Sequence, residues 1–115
     1  MDSRQLRYFV AVARERNFTR AAAKLHIAQP PLSRQIQQLE DELGVALFDR
    51  SSRPLALTDA GRLLFEQAVQ VLDRMGEMKA MIRRLLEAEK PRFAMGFVGS
   101  TLYGYFALVH GQRRG

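Results

Sequence analysis

The chain has 115 residues, 47% hydrophobic and 26% charged, which fits one modest core and excludes both a disordered polyelectrolyte and two full domains. It has no cysteine, hence no disulfide framework or thiolate metal site, and its two histidines stand too far apart in sequence to suggest a zinc site. A net charge of +6 points to a polyanionic partner without requiring one. No apolar run approaches the length of a membrane span and the opening MDSRQLRYF lacks a signal-peptide core, so a cytoplasmic location is expected.

Residues 3–16 read as a first helix, with Leu6, Phe9, Val10 and Ala13 at three-four spacing toward a core. Tyr8 and Val12 lie off that stripe, facing another helix. Asn17 and Phe18 interrupt the pattern, and Thr19 is the expected N-cap of a second, short helix, TRAAAKL. Ala21, Ala22 and Ala23 there permit close approach by a neighbour. Up to Lys24 the basic residues Arg4, Arg7, Arg14, Arg16, Arg20 and Lys24 face only Asp2 and Glu15. HIAQ is a short connection before Pro30, of the length found in helix-turn-helix units.

The rest of the chain is organised around the stretch AQPPLSRQIQQLEDELG, residues 28–44. On a helical wheel Leu32, Ile36, Leu39 and Leu43 share one side. Pro30, Arg34 and Gln37 take the opposite side, with Ser33 on the flank. Pro30 suits a first helical position, Pro31 removes a second amide hydrogen, and Gly44 suits a left-handed C-terminus. Such a front fits the major groove, where an arginine fork can grip guanine and an amide can grip adenine. An ordinary amphipathic helix with a solvated front fits this segment equally well.

Beyond Gly44, two short strands around Ser51–Pro54 are expected to form a small hairpin, or wing, with Arg53 at its tip and Arg50 at its shoulder. Both arginines could reach phosphates or a minor groove, or be simple solvated hairpin charges. Thr58 and Asp59 then start a helix expected to run about 32 residues, roughly 48 Å, to about Glu89. Leu64, Ala68, Val71, Met75, Met78, Ile82 and Leu85 alternate four and three residues apart, a heptad seam sustained over three repeats. A seam of that length needs a partner helix, and a second copy of the chain is the expected source. Gly76 in mid-helix costs about 1 kcal/mol relative to alanine and is a candidate point of close helix approach. After a hinge at EKPR, FAMGFVGS reads as a short strand and TLYGYFALVH as the start of a helix. One strand and a partial helix do not make a domain, so a fragment of a longer protein, or an appendage, is expected here.

The run FTRAAAKLHIAQPPLSRQIQQLEDELGVALFDRSSRPLALTDAG closely resembles the DNA-binding region of LysR-type transcriptional regulators, and SRQLRYFVAVARERNF resembles the family's first helix. The resemblance covers residues 1 to about 101, with every element in the family's order. It implies a mainly α fold, a winged helix-turn-helix followed by a long coiled-coil-like linker helix, divided as 1–58, 59–89 and 90–115. It implies that Gln29, Pro30, Pro31, Ser33 and Arg34 face bases and phosphates, that Thr19 and Arg20 hold phosphate, and that Arg53 approaches the minor groove. Linker helices pair antiparallel between copies in that family. GFVGSTLYG further resembles the start of the effector domain in regulators answering to aromatic-degradation intermediates such as muconate, where Ser100 and Thr101 would meet a carboxylate. The chain departs from that pattern after Leu108, and the rest of the effector domain is missing.

Arg34 can donate a bidentate pair to guanine or clamp phosphate, and Gln29 can read adenine or bridge through water. The proline rings can pack on thymine methyls. Gln37 faces the same way one turn further back, and Asp41 on the same front would repel phosphate. The expectation is a sequence-specific, dimeric binder of a partly palindromic DNA duplex, with a tetramer open to a full-length protein. It would regulate transcription of an aromatic-compound catabolic operon on the bacterial nucleoid, with no cofactor and no membrane partner. A purely structural dimerisation module accounts for the seam but leaves the polar front and wing arginines without a purpose. An RNA-binding domain lacks the exposed aromatic pairs that stack on unpaired bases. An enzyme is least supported, since no Ser-His-acid set is visible and His26 reads as a solvated turn residue.

Overall fold

The computed structural model describes residues 1–89, in the order α1 (Ser3–Glu15), α2 (Phe18–Leu25), α3 (Gln29–Leu43), β1 (Phe48–Asp49), β2 (Ala56–Leu57) and α4 (Asp59–Glu89). The expected strand, turn and helix beyond Glu89, with Ser100 and Thr101, lie outside the described residues. Two compact units divide at Met75 and Gly76.

The first unit holds the core. Asp2 caps α1, its Oδ1 accepting the Gln5 amide at 2.8 Å, and Arg16 ends the helix in the left-handed region. Leu6, Phe9, Val10 and Val12 are all buried. Val12 is therefore core and not off the stripe: α1 is covered by α2 and α3 on one side, and on another Arg14 lies over the Phe65 ring of α4 at 5.8 Å.

The start of α2 also differs from expectation. Asn17, not Thr19, is the cap; its Oδ1 accepts the Arg20 amide at 2.8 Å, so the helix begins at Phe18. Capping from Asn17 places Thr19 inside the first turn with its side chain exposed. His26 closes α2 in the left-handed region, and the turn His26–Ala28 leads into α3. Pro30 is then the second helical residue and not the first. Two prolines in the first turn reduce the number of orphan amides, and Ala28 caps without a side-chain bond.

The back of α3 is as the periodicity predicts for Leu32, Ile36 and Leu39, all fully buried. Leu43 departs from it at 40% exposure. Residues 41–46 are all exposed, so the core ends at Glu40, whose own side chain takes the last inward place.

The wing is a two-stranded antiparallel ribbon pairing Phe48 with Leu57 and Asp49 with Ala56. Its turn closes on Asp49, whose Oδ1 accepts the Ser51 hydroxyl at 2.6 Å and the Ser51 amide at 3.0 Å. These bonds hold the Asp49 carboxyl below its ordinary range. Phe48 anchors the wing inward, with Phe9 at 5.4 Å and Phe18 at 5.8 Å between ring centroids.

Thr58 starts α4 as expected: its Oγ1 accepts the Gly61 amide at 3.0 Å and donates to the Ala46 carbonyl at 2.7 Å. Gly61 sits so close to the loop before β1 that a Cβ there would lie 2.1 Å from the Leu47 carbonyl oxygen. Only glycine permits that approach. Leu64, Phe65, Ala68, Val69 and Leu72 carry this end of α4 onto the core. In the second unit, residues 76–89 are exposed throughout except for half-buried Ala80.

Candidate nucleic-acid interface

Four elements of the first unit meet around an open cleft of about 510 Å³. Glu15, Arg16 and Asn17 bring the end of α1, and Phe18, Thr19 and Arg20 the start of α2. Gln29 and Ser33 bring the first turns of α3, and Arg50, Arg53, Pro54 and Leu55 the wing. Six residues singled out from the sequence (Thr19, Arg20, Gln29, Ser33, Arg50 and Arg53) thus share one wall-to-wall site. Their sequence separations reach 34 positions, and only the packing of the wing against α2 closes that distance.

The electrostatics favour an anion. The cleft receives the N-terminal ends of α2 and α3, both positive ends of a helix dipole. It is lined by four arginines against one glutamate, and Glu15 already pairs with Lys24 at 3.8 Å. Arg20 has no acidic partner among the described residues. Arg53 uses one nitrogen of its fork on the Arg50 carbonyl at 2.7 Å and the Ser52 carbonyl at 3.1 Å, which orients the exposed side chain. Arg50 is more committed: its guanidinium lies 3.2 Å from Glu40 and 5.4 Å from the Phe18 ring.

Pro30, Pro31, Arg34 and Gln37 are exposed on α3 and do not line the cleft. Arg34 has no ion pair among the described residues, so its fork is available. Along the same helix, the Gln29 amide donates to the Ser33 hydroxyl at 2.6 Å and the Gln37 amide to Asp41 at 3.1 Å. Each side chain is thereby held at a fixed rotamer, which lowers the ordering cost of docking. Asp41 turns the distal end of the front acidic.

Two residues that sequence reasoning left aside belong to this site. Asn17 aligns the α2 amides, and Arg16 donates from Nε to the Leu55 carbonyl at 3.1 Å, tying α1 to the second wing strand. An asparagine three residues before Arg20 is a capping signal that could have pointed to the first. Arg16 had no local signal, because its partner is 39 residues away.

The expected seam divides. Ala68, 1% exposed, is part of the chain's own core, and Leu64 is half-buried against it. Neither is free for a second copy, because the first turns of α4 are spent covering the winged core. From Val71 onward the stripe opens: Val71 is 45% exposed and Met75 half-buried. In the second unit Met78, Ile82 and Leu85 are exposed, Ile82 by 57%. No helix among the described residues is long and apolar enough to cross a membrane.

A family model described as bacterial regulatory helix-turn-helix protein, lysR family, matches residues 3–62. The probable cat1 operon transcriptional activator of Acinetobacter lwoffii is 66% identical over 104 residues, covering 90% of this chain and 34% of that protein. The HTH-type transcriptional regulator BenM of Acinetobacter baylyi is 51% identical over 115 residues, covering 99% of this chain and 38% of BenM. A crystal structure of a BenM DBD complex with benA site 1 DNA superposes with a TM-score of 0.72 at 52% identity, over 74% of this chain and 96% of that one. The chain spans about a third of the length of these two curated relatives.

Proposed function

The chain belongs to the lysR family of bacterial regulatory helix-turn-helix proteins, a family of DNA-binding regulators and not of enzymes, and from that premise we propose that it binds duplex DNA sequence-specifically as a homodimer and regulates transcription. One observation carries the reading. The helix that buries Leu32, Ile36 and Leu39 completely turns Pro30, Pro31 and an unpaired Arg34 outward, beside a cleft lined by the wing's arginines. Residues 1–58 are the reading domain, 59–89 the linker and 90–115 the beginning of an effector domain.

In this reading the first turns of α3 enter the major groove. Arg34 takes guanine by a bidentate pair, Gln29 and Ser33 offer amide and hydroxyl to neighbouring bases, and the two proline rings pack on thymine methyls. Thr19 and Arg20 hold a phosphate at the start of α2, and Arg53 enters the adjacent minor groove. Gln37 is at the limit of reach, since Asp41 beyond it repels the backbone. Two copies joined along Val71, Met75, Met78, Ile82 and Leu85 present two such heads to a partly palindromic operator. The named relatives support an operon of aromatic-compound catabolism, with the protein acting on the nucleoid in the cytoplasm, activating some promoters and repressing its own. In a full-length protein Ser100 and Thr101 would meet the inducer's carboxylate, and dimers would pair into tetramers.

Binding-site selection from a random duplex pool, at two salt concentrations, tests the proposal. Enrichment of a two-fold-related site is the expected result; a pool that stays random refutes it. On the recovered site Arg34→Ala should cost about 1–3 kcal/mol and flatten preference at one base pair. Equal losses on the site and on random duplex would reduce Arg34 to a phosphate contact.

A further inference from the structure

Glu40 is the most deeply buried charged residue among the described residues, 6% exposed, and it lies on α3 two turns beyond the groove-facing residues. A carboxylate so far from water is retained only with its lone pairs in use. Its Oε2 accepts the backbone amides of Leu47 at 2.7 Å and Phe48 at 3.3 Å, fixing the chain as it enters β1. Arg50 Nη1 donates to Oε1 at 3.2 Å and to Oε2 at 3.3 Å. The Arg50 carbonyl in turn accepts from Arg53 Nη1 at 2.7 Å. A continuous chain of hydrogen bonds therefore runs from inside α3, through Arg50, to the arginine at the wing tip. The Phe18 ring under the Arg50 guanidinium ties the same chain to α2.

We propose that Glu40 is a positioning residue for DNA recognition, setting the wing relative to α3 through Arg50 so that Arg53 meets the minor groove when Arg34 meets the major one. Arg50 serves as a strut in this assembly and not as a phosphate ligand. The short strands make the device necessary: a ribbon pairing only two residues on each side does not hold a fixed pitch by itself. The inference rests on the DNA reading above.

The test uses the full chain and a fixed duplex recovered from a random pool by the wild type. Affinity is measured against salt for Glu40→Gln, Arg50→Met, Arg53→Ala and their double variants. Each single change should reduce the salt slope by about one, the amount expected for one lost phosphate contact. The doubles should fall no further, because all three act through the same contact. Arg50→Lys, which keeps a cation near Glu40, should restore the slope. Hydroxyl-radical protection in the minor groove beside the wing should vanish, while guanine N7 protection from methylation in the major groove remains. Parallel loss of both protections, or additive slopes in the doubles, overturns the proposal. Arg50 is 45% exposed, so Arg50→Met carries the test if Glu40→Gln does not fold. A wild-type chain that protects no duplex refutes the DNA reading itself, which separates that failure from this one.

Discussion

Alanine in place of glycine should have opposite consequences at two positions of α4. At both, helix propensity favours alanine by about 1 kcal/mol. At Gly61 the added Cβ would sit 2.1 Å from the Leu47 carbonyl oxygen and 2.9 Å from Leu57 Cδ2. The leucine side chain can move. The carbonyl cannot move alone, because it is main chain and accepts the Thr58 amide at 3.0 Å. Relief therefore shifts the loop before β1 by about 1 Å, with an overpacking cost of about 1–3 kcal/mol. Weakening the Thr58 bond adds about 1 kcal/mol. The clash outweighs propensity, for a net destabilisation of about 1–3 kcal/mol, or roughly 5–20 °C in Tm at 4–8 °C per kcal/mol. Gly76 meets nothing within 4 Å, so alanine there should stabilise the helix by up to about 1 kcal/mol. Circular dichroism melting at 222 nm, run beside urea denaturation, reads both. A Gly61→Ala chain that melts at or above the wild type would refute the seating of α4 on Leu47. A Gly76→Ala chain that associates more weakly would show that a partner backbone approaches there.

Asn17→Ala should cost about 1 kcal/mol by leaving the Arg20 amide uncapped, and should weaken duplex binding as the α2 start frays; amide exchange at Arg20 checks it. Lysine at Val71 or Met78 should break self-association by placing a charge in an apolar seam, which analytical ultracentrifugation measures. Lysine at Leu64 should instead unfold the winged core without a dimer-specific effect. Asp49 has its carboxyl lowered by Ser51, so its support of the wing turn is complete above the ordinary carboxylate range and is lost as pH falls through the lowered value. An NMR titration of the Ser51 amide should show a midpoint below that range, and Asp49→Asn should abolish the transition.

Short-range patterns settled much of this molecule from the chain alone. Three-four spacing around Leu32, Ile36 and Leu39 defined both the buried back and the exposed front of α3, because a helix of known pitch leaves no other arrangement. SSRP between two apolar pairs placed the wing, and Thr58 placed the start of α4, since caps and turns depend only on neighbours. Tertiary packing decided the rest. The heptad stripe is unbroken from Leu64 to Leu85, yet its beginning is core and its continuation is exposed, a division made by what lies against the helix and invisible to periodicity. Glu40 reads as one more acid in a charged cluster, and only the fold turns it inward to meet amides seven and eight residues away. Arg16, Arg50 and Arg53 look alike in composition. What separates them is the distant carbonyl or carboxylate each one finds, which no local pattern encodes.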